Sequence, residues 1–354
     1  MQNEQAVATD SGPEIGVDVL LEPLMAEALT ALDGHAPLLA GMVRYHLGYA
    51  DLDLRPVNPR SIDRGKRIRP AITLLVAGTA GGDPVQAAPV AAAIELLHNF
   101  TLIHDDIQDE SATRRHRPTI WHVWGAKQAI NAGDALFAVA HLPLHTLPRQ
   151  GVPAERALTI LDAFERMTIE IVSGQTLDLS FETREDVTAD DYLEMISGKT
   201  SAIIRFAAWA GATIAGADAA TAARWADFGL ELGLGFQIHD DLLGVWGTQA
   251  ETGKRQADDI RRRKKSYPFL LLRERLGPPS QAELNAIYAR PEVSEEDVAR
   301  VLSLMDTHGV RRDVERVVAN YHDSAAGVLA DAARSRAYLR QLQNLVESLA
   351  TRTF

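Results

Sequence analysis

The chain has 354 residues, 46% of them apolar and 24% charged, enough to bury a large core in one or two domains. It contains no cysteine, which excludes disulfides and thiolate metal sites and suits a reducing, cytoplasmic setting. Its net charge of −12 argues against a general nucleic-acid binder, and no apolar run reaches the roughly 18 residues that span a membrane.

Residues 1–15 are polar and read as a mobile tail without a signal peptide. From about Val17 onward, apolar residues recur at three- and four-residue spacing almost to the end, and alternating strand patterns are scarce. The expected fold class is all-α, with one large helical domain over residues 16–354 and no internal repeat. Breaks are expected at Pro56–Arg64, Gly81–Pro84, Arg149–Pro153, Thr248–Pro268 and Gly277–Ser280. Thr188 with Asp191, and Ser294 with Asp297, read as capping boxes. Phe206–Ala217 reads as a buried core helix.

The first unusual stretch is ELLHNFTLIHDDIQDESATRRHR, from Glu95 to Arg117. On a helix advancing about 100° per residue, Asp105 and Asp109 share a face, flanked by Asp106 and Glu95, with His98 two turns back. Leu96, Phe100, Ile103 and Ile107 gather on another arc. Like charges one turn apart destabilise a helix unless something neutralises them. Mg²⁺ does so with oxygen ligands while sharing substrate phosphates. Arg114 and Arg115, just downstream, are forks that match phosphate oxygens. A bare DDxxD arises often by chance. Here it closes a very apolar helix, where unpartnered acids are costly.

A second apolar helix ends the same way, in FQIHDDLLG, with Gln237, Asp240, Asp241 and Gly244 on one face. Lys254, Asp258 and Asp259 follow, then the basic run Arg261–Lys265, most of which reads as a solvated stretch or a neutraliser of nearby acids. Gly247–Lys254 is not a phosphate loop, since five residues separate its glycines and Arg255 stands where Ser or Thr belongs. Gly233 and Gly235 begin a dinucleotide fingerprint that Ile238 breaks. The simplest arrangement sets the two acidic helix ends facing across a cavity, with metal between them.

At these residues the chain resembles the trans-isoprenyl diphosphate synthase family. Gly65, Lys66, Arg67 and Pro70 match an early GKR-x-RP block. Glu95–Asp109 and Arg114–Arg115 match the first aspartate-rich block and its arginine pair. Asn131–Phe137, the Gly174–Leu179 block, Lys199–Thr200, Phe236–Asp241, and Lys254, Asp259 and Lys264 match further blocks. Together they span roughly residues 63 to 268.

The resemblance implies an all-helical fold around a central cavity, usually homodimeric, that joins an allylic prenyl diphosphate to isopentenyl diphosphate. It implies catalysis by Asp105, Asp106, Asp109, Lys199, Asp240 and Asp241. Asp105 and Asp109 would hold two Mg²⁺ and Asp240 a third, with Mn²⁺ as an alternative ion. Arg114, Lys199, Thr200, Gln237, Lys254 and Lys264 would serve the allylic diphosphate. Lys66, Arg67, His98 and Arg115 would hold isopentenyl diphosphate. Phe100 and Thr101, just upstream of the first aspartate, would set product length near C15 or C20. The sequence departs from the pattern at Gly244, where a third aspartate is frequent, and at Ala257, where glycine is common. Position 244 lies on the ligand-facing side of the wheel, so a carboxylate is missing there.

Two other readings remain. A class I terpene cyclase would need Ser or Thr at Gly244 and Glu at Thr248. A non-catalytic partner subunit would more often lose the intact first aspartate block.

Overall fold

The computed structural model describes residues 14–249 and 255–351, and helices account for most of them. In order they are α1 (Val17–Leu29), α2 (Pro37–His46), α3 (Ile68–Thr79), α4 (Pro84–Gln108), α5 (Ile120–Trp124) and α6 (Ala126–His141). After a 3₁₀ stretch at Leu142–Gln150 come α7 (Ala154–Thr183), α8 (Ala189–Ile196), a π-helical turn at Ser197–Ser201, α9 (Ala202–Ile214) and α10 (Ala219–Trp246). The rest are α11 (Asp258–Arg261), α12 (Tyr267–Arg275), α13 (Pro278–Tyr288), α14 (Glu295–Thr307), α15 (Val310–Ala332) and α16 (Arg336–Thr351).

The helix ends follow local chemistry. Both expected capping boxes form, at Thr188–Asp191 and Ser294–Asp297. Pro37 and Pro84 open α2 and α4, where a missing N–H costs nothing. The expected breaks at Pro56–Arg64, Gly81–Pro84 and Arg149–Pro153 fall between α-helices, but α11 forms inside the expected break Thr248–Pro268, and Pro278 begins α13 rather than extending a loop. Unexpected is a small hairpin, β1 (Thr113–Arg114) with β2 (Arg117–Pro118), built from the arginine-rich stretch.

The described residues gather into two compact units, where the sequence shows no composition shift to divide them. The first comprises Met1–Asp162, Ala207–Ala222 and Ala333–Leu342, and the second comprises Ala163–Phe206, Ala223–Ala332 and Gln343–Phe354. In the first, α4 is central and packs on α1, α3 and α6. Leu21, Met25, Ile72, Leu74, Ile94, Leu96 and Leu97 are fully buried there. Gly82 and Gly211 let helices approach until a Cβ would strike backbone. Of the expected tail, residues 1–13 lie outside the described residues, and the Ile15 N–H donates to Gln341 Oε1 at 3.1 Å. In the second unit, Phe164, Trp225, Phe228, Ile238 and Leu270 are fully buried. No helix among the described residues is long and apolar enough to cross a membrane.

Candidate active site

In the first unit, α4 delivers Asp105 and Asp106 on its last turn and Asp109 as its C-cap. The two types of aspartate differ. Asp105 is half-buried and Asp109 exposed, whereas Asp106 is 2% exposed and accepts from Arg114 Nε at 2.8 Å. Burial pushes the Asp106 carboxyl up to about 6 against the pull of Arg114, with Asp105 and Asp109 adding to the rise. Asp106 therefore fixes an arginine, while Asp105 and Asp109 are less buried. Helix C-termini carry partial negative charge, so carboxylates there call for a cation.

Arg115 and His116 form the tip of the hairpin, both left-handed at φ 49° and 61°. Two-residue hairpin turns of this kind favour Asn-Gly, and a side chain costs about 1–2 kcal/mol at each position. Arg117 secures the hairpin by donating to Tyr45 O and Ala50 O and lying 4.0 Å from the Tyr45 ring centroid. The Arg115 guanidinium lies against Gly65, where a Cβ would come within 2.7 Å of Nη2. A pocket opens here, lined by Tyr45, His46, Asp63, Asp106, Arg114, Arg115, Arg117, Pro118 and Thr119. His46 was not singled out from the sequence. Its Nε2 is buried without a hydrogen-bond partner, and burial plus Arg115, Arg114 and Arg117 drive its pKa down to about 3.

The early basic block divides in a way the sequence does not show. Arg67, left-handed at φ 50°, turns into two ion pairs, with Asp18 at 2.6 Å and Glu22 at 2.5 Å, and its side chain is 5% exposed. That commitment argues against the substrate role expected of it. Arg69 instead lies 3.2 Å from His98 Nε2, and its own Nε is buried without a partner. Burial and Arg69 hold His98 well below its usual pKa. Lys66 is exposed. Glu95, expected beside the acids, is buried and accepts from Asn99 Nδ2 at 3.1 Å.

Below the aspartates, Phe100 contacts the rings of His104 at 4.8 Å and Phe137 at 5.2 Å between centroids. Thr101 spends its hydroxyl on His98 O at 2.8 Å.

In the second unit, α7 crosses the α8–α9 segment through facing glycines. A Cβ on Gly174 would lie 2.8 Å from Gly198 C and from Lys199 Cα. The π-helical turn there presents Lys199 and Thr200, a recurrent use of this distortion. Lys199 pairs with Asp178 of α7, and Thr200 Oγ1 donates to Gln237 Oε1 at 3.1 Å. Asp241 is 0% exposed, like Asp106 a buried anchor. It accepts from Tyr192 OH at 2.5 Å, Tyr267 N at 3.1 Å and Gln237 Nε2 at 3.3 Å, and Lys264 Nζ stands 3.6 Å away. Burial opposes the charge on Lys264, but Asp241, Asp259 and Asp240 hold it protonated well above its usual range. Asp240 is half-buried.

The place apparently vacated at Gly244 is filled. A Cβ there would lie 2.6 Å from Asp259 Cγ and 2.8 Å from Asp259 Oδ1. Ala257 caps α11 at φ 58°, which explains why glycine suits that position. Of the basic run, Lys264 alone points to these acids. Arg261 pairs with Glu295 and Arg262 with Asp258, Arg263 donates to Arg290 O, and Lys265 donates to Phe181 O. Lys254 lies outside the described residues.

Among the described residues, no three His, Asp or Glu side chains are gathered closely enough to hold a metal ion by themselves. Half-exposed carboxylates at negative helix ends fit a hard cation that completes its shell with water and phosphate oxygens.

An all-helical fold with two acidic helix ends, each paired with a fixed cation, defines a class of enzyme that works on diphosphates. Residues 55–305 match the polyprenyl synthetase family, and the chain belongs to that family of prenyltransferases, the trans-isoprenyl diphosphate synthases, which use divalent metal ions. It is 41% identical over 308 residues to a geranylgeranyl diphosphate synthase of Mycobacterium tuberculosis, covering 86% of this chain and 85% of that one. It is 38% identical over 296 residues to a (2E,6E)-farnesyl diphosphate synthase of Mycobacterium bovis, covering 83% and 79%. The crystal structure of a polyprenyl synthetase from Streptomyces coelicolor A3(2) superposes with a TM-score of 0.81 at 34% identity, covering 95% of this chain and 96% of that one.

Proposed function

We propose that this prenyltransferase joins isopentenyl diphosphate to an allylic prenyl diphosphate, head to tail and trans, giving a C15 or C20 product. The observation that carries this is the division of labour at each acidic helix end. One aspartate is buried on a cation (Asp106 on Arg114, Asp241 beside Lys264), while Asp105 and Asp240 beside them are half-buried and Asp109 is exposed.

Asp105, Asp109 and Asp240 are the residues that would hold Mg²⁺, three ions in all, with Mn²⁺ as a substitute. When bound, the ions neutralise the charge that develops on the leaving diphosphate. Arg114, Lys199, Lys254 and Lys264 hold the allylic diphosphate, with Gln237 oriented by Thr200. Lys66, Arg115 and His98 hold isopentenyl diphosphate. Arg69 takes the place expected of Arg67, since it adjoins His98 while Arg67 is held by Asp18 and Glu22. Fixed cations of this kind stabilise the departing diphosphate without reorganising as charge appears. The allylic C–O bond breaks and the diphosphate keeps its electron pair. The isopentenyl double bond then attacks the carbocation, and loss of a proton re-forms a double bond.

Phe100, with Thr101 beside it, limits the tail. The relatives named for farnesyl and geranylgeranyl diphosphate bracket the length expected. The reading also expects a cytoplasmic homodimer.

The test is a product assay. The purified protein is given Mg²⁺, labelled isopentenyl diphosphate and a C5, C10 or C15 primer, and the dephosphorylated alcohols are sized. A C15 to C20 alcohol that vanishes with EDTA, and is absent with Asp105→Ala or Asp109→Ala, is the expected result. No elongation from any primer would favour the cyclase or partner-subunit reading.

A further inference from the structure

Tyr192 belongs to none of the blocks that mark the family, yet its hydroxyl reaches a fully buried carboxylate. It is 3% exposed and donates to Asp241 Oδ2 at 2.5 Å. Tyr267 N donates to the same oxygen at 3.1 Å, and Gln237 Nε2 donates to Oδ1 at 3.3 Å. Lys264 Nζ stands 3.6 Å from Oδ1, beyond an ordinary hydrogen bond, and its side chain is 44% exposed. Opposite charge rather than a hydrogen bond keeps that ammonium beside Asp241.

The same tyrosine stands at the root of Lys199. α8 runs without a break into the π-helical turn at Ser197–Ser201, so Tyr192 and Lys199 ride on one helical segment, about two turns apart. That segment is tied to α10 twice, by Tyr192 on Asp241 and by Thr200 Oγ1 on Gln237 Oε1 at 3.1 Å. The other supports of α8 do not use the hydroxyl. The Thr188–Asp191 capping box closes its start, Ala189 N donates to Glu274 Oε1 at 2.9 Å, and Met195 and Ile196 are buried. A phenylalanine would fill the same space with no O–H to satisfy, so packing alone does not call for tyrosine here.

We propose that Tyr192 is a positioning residue for the allylic diphosphate, its hydroxyl fixing the Asp241 carboxylate and, through it, the ammonium of Lys264. This rests on the role given above to Lys264. Without the hydroxyl, Oδ2 keeps Tyr267 N but loses its shorter bond. A buried carboxylate that loses a donor draws harder on the nearest cation, and Lys264 closes from 3.6 Å onto Asp241. The ammonium is then withdrawn from the place where the diphosphate needs it. Gln237, held from its other end by Thr200, stays where it is.

The experiment measures the KM for each substrate in the parent, Tyr192→Phe, Lys264→Ala and the double variant. Tyr192→Phe keeps the ring and its packing, and urea unfolding of each variant checks that the fold survives. Tyr192→Phe is expected to raise the KM for the allylic substrate roughly tenfold, the lower end of what a hydrogen bond to a charged group contributes. The KM for isopentenyl diphosphate should stay parental. In the Lys264→Ala background, with no ammonium left to displace, Tyr192→Phe should change the allylic KM by no more than about twofold. A parental allylic KM in Tyr192→Phe, with Lys264→Ala still raising it, would overturn this inference and leave the Lys264 reading intact. Equal rises in both KM values, or additive effects in the double variant, would mean a general loosening and would overturn it too. A parental allylic KM in Lys264→Ala would overturn the Lys264 reading, and this inference with it.

Discussion

Supplying the aspartate that position 244 lacks should harm the enzyme, not improve it. The Cβ of Gly244→Asp would sit 2.6 Å from Asp259 Cγ and 2.8 Å from Oδ1. Turning the Asp259 carboxyl about its own bond does not move Cγ, so the whole side chain must shift, in a setting only 8% exposed. Overpacking of this kind costs about 1–3 kcal/mol. A second carboxylate about 4 Å from the first adds repulsion of up to about 4 kcal/mol at an effective dielectric constant near 20. Lys264 relieves part of that, but it already stands 3.6 Å from Asp241 and 4.0 Å from Asp259. Replacing a helical glycine with aspartate returns only about 0.3 kcal/mol. The net loss should be about 4 kcal/mol. Gly244→Ala carries the steric term without the charge and regains about 1 kcal/mol of helix propensity, so it should lose roughly 2 kcal/mol or less. Urea unfolding of the metal-free protein reads these losses, and the Mg²⁺ concentration for half-maximal turnover reads the site. Adding Asp259→Gly to Gly244→Asp should recover about 2 kcal/mol or more of coupling. The argument fails if Gly244→Asp is as stable as the parent, or if Asp259→Gly gives no rescue.

Acid should weaken the fold through two histidines. His46 has a folded pKa of about 3 against 6.5 unfolded, so its contribution is complete above 6.5 and is lost as pH falls from 6.5 toward 3. At pH 5 that loss is about 2 kcal/mol, and His98 is shifted in the same direction. Between pH 7.5 and 5.0, His46→Gln should lose about 2 kcal/mol less stability than the parent, and equal losses would contradict the assignment. Gly174→Ala drives a methyl into the backbone at Gly198 and Lys199, where no rotamer change gives relief. It should cost about 3 kcal/mol and raise the KM for the allylic substrate by displacing Lys199. An unchanged unfolding midpoint would show that the crossing is looser than described.

The all-helical fold and both acidic clusters were legible because their signals are local. Each capping box needs only four residues, and each carboxylate pair ends its own apolar helix. What escaped depends on groups brought in from elsewhere in the chain. Arg67 and Arg69 read alike until α1 supplies Asp18 and Glu22, some 45 residues earlier, to hold one of them. The helical wheel put Gly244 on the face of Asp240 and Asp241 but could not show Asp259 entering the same space from α11. The run RRRKK gave no sign that Lys264 alone would turn toward Asp241 while its neighbours tied down loops and helix ends. Tyr192 and His46 carry no motif, and their importance lies in the buried atoms they meet or leave unmet.

The hairpin tip also limits how the protein can be made hardier. A conventional repair would replace Arg115–His116 with Asn-Gly, releasing roughly 2–4 kcal/mol of backbone strain. That exchange would remove the guanidinium that the turn holds against Gly65, in the pocket with Arg114 and His46. Under the role proposed for Arg115, heat resistance and diphosphate binding compete at this turn, and a search for sturdier variants by survival alone should drift toward folded hairpins without that guanidinium. Durable gains must come from positions remote from this turn.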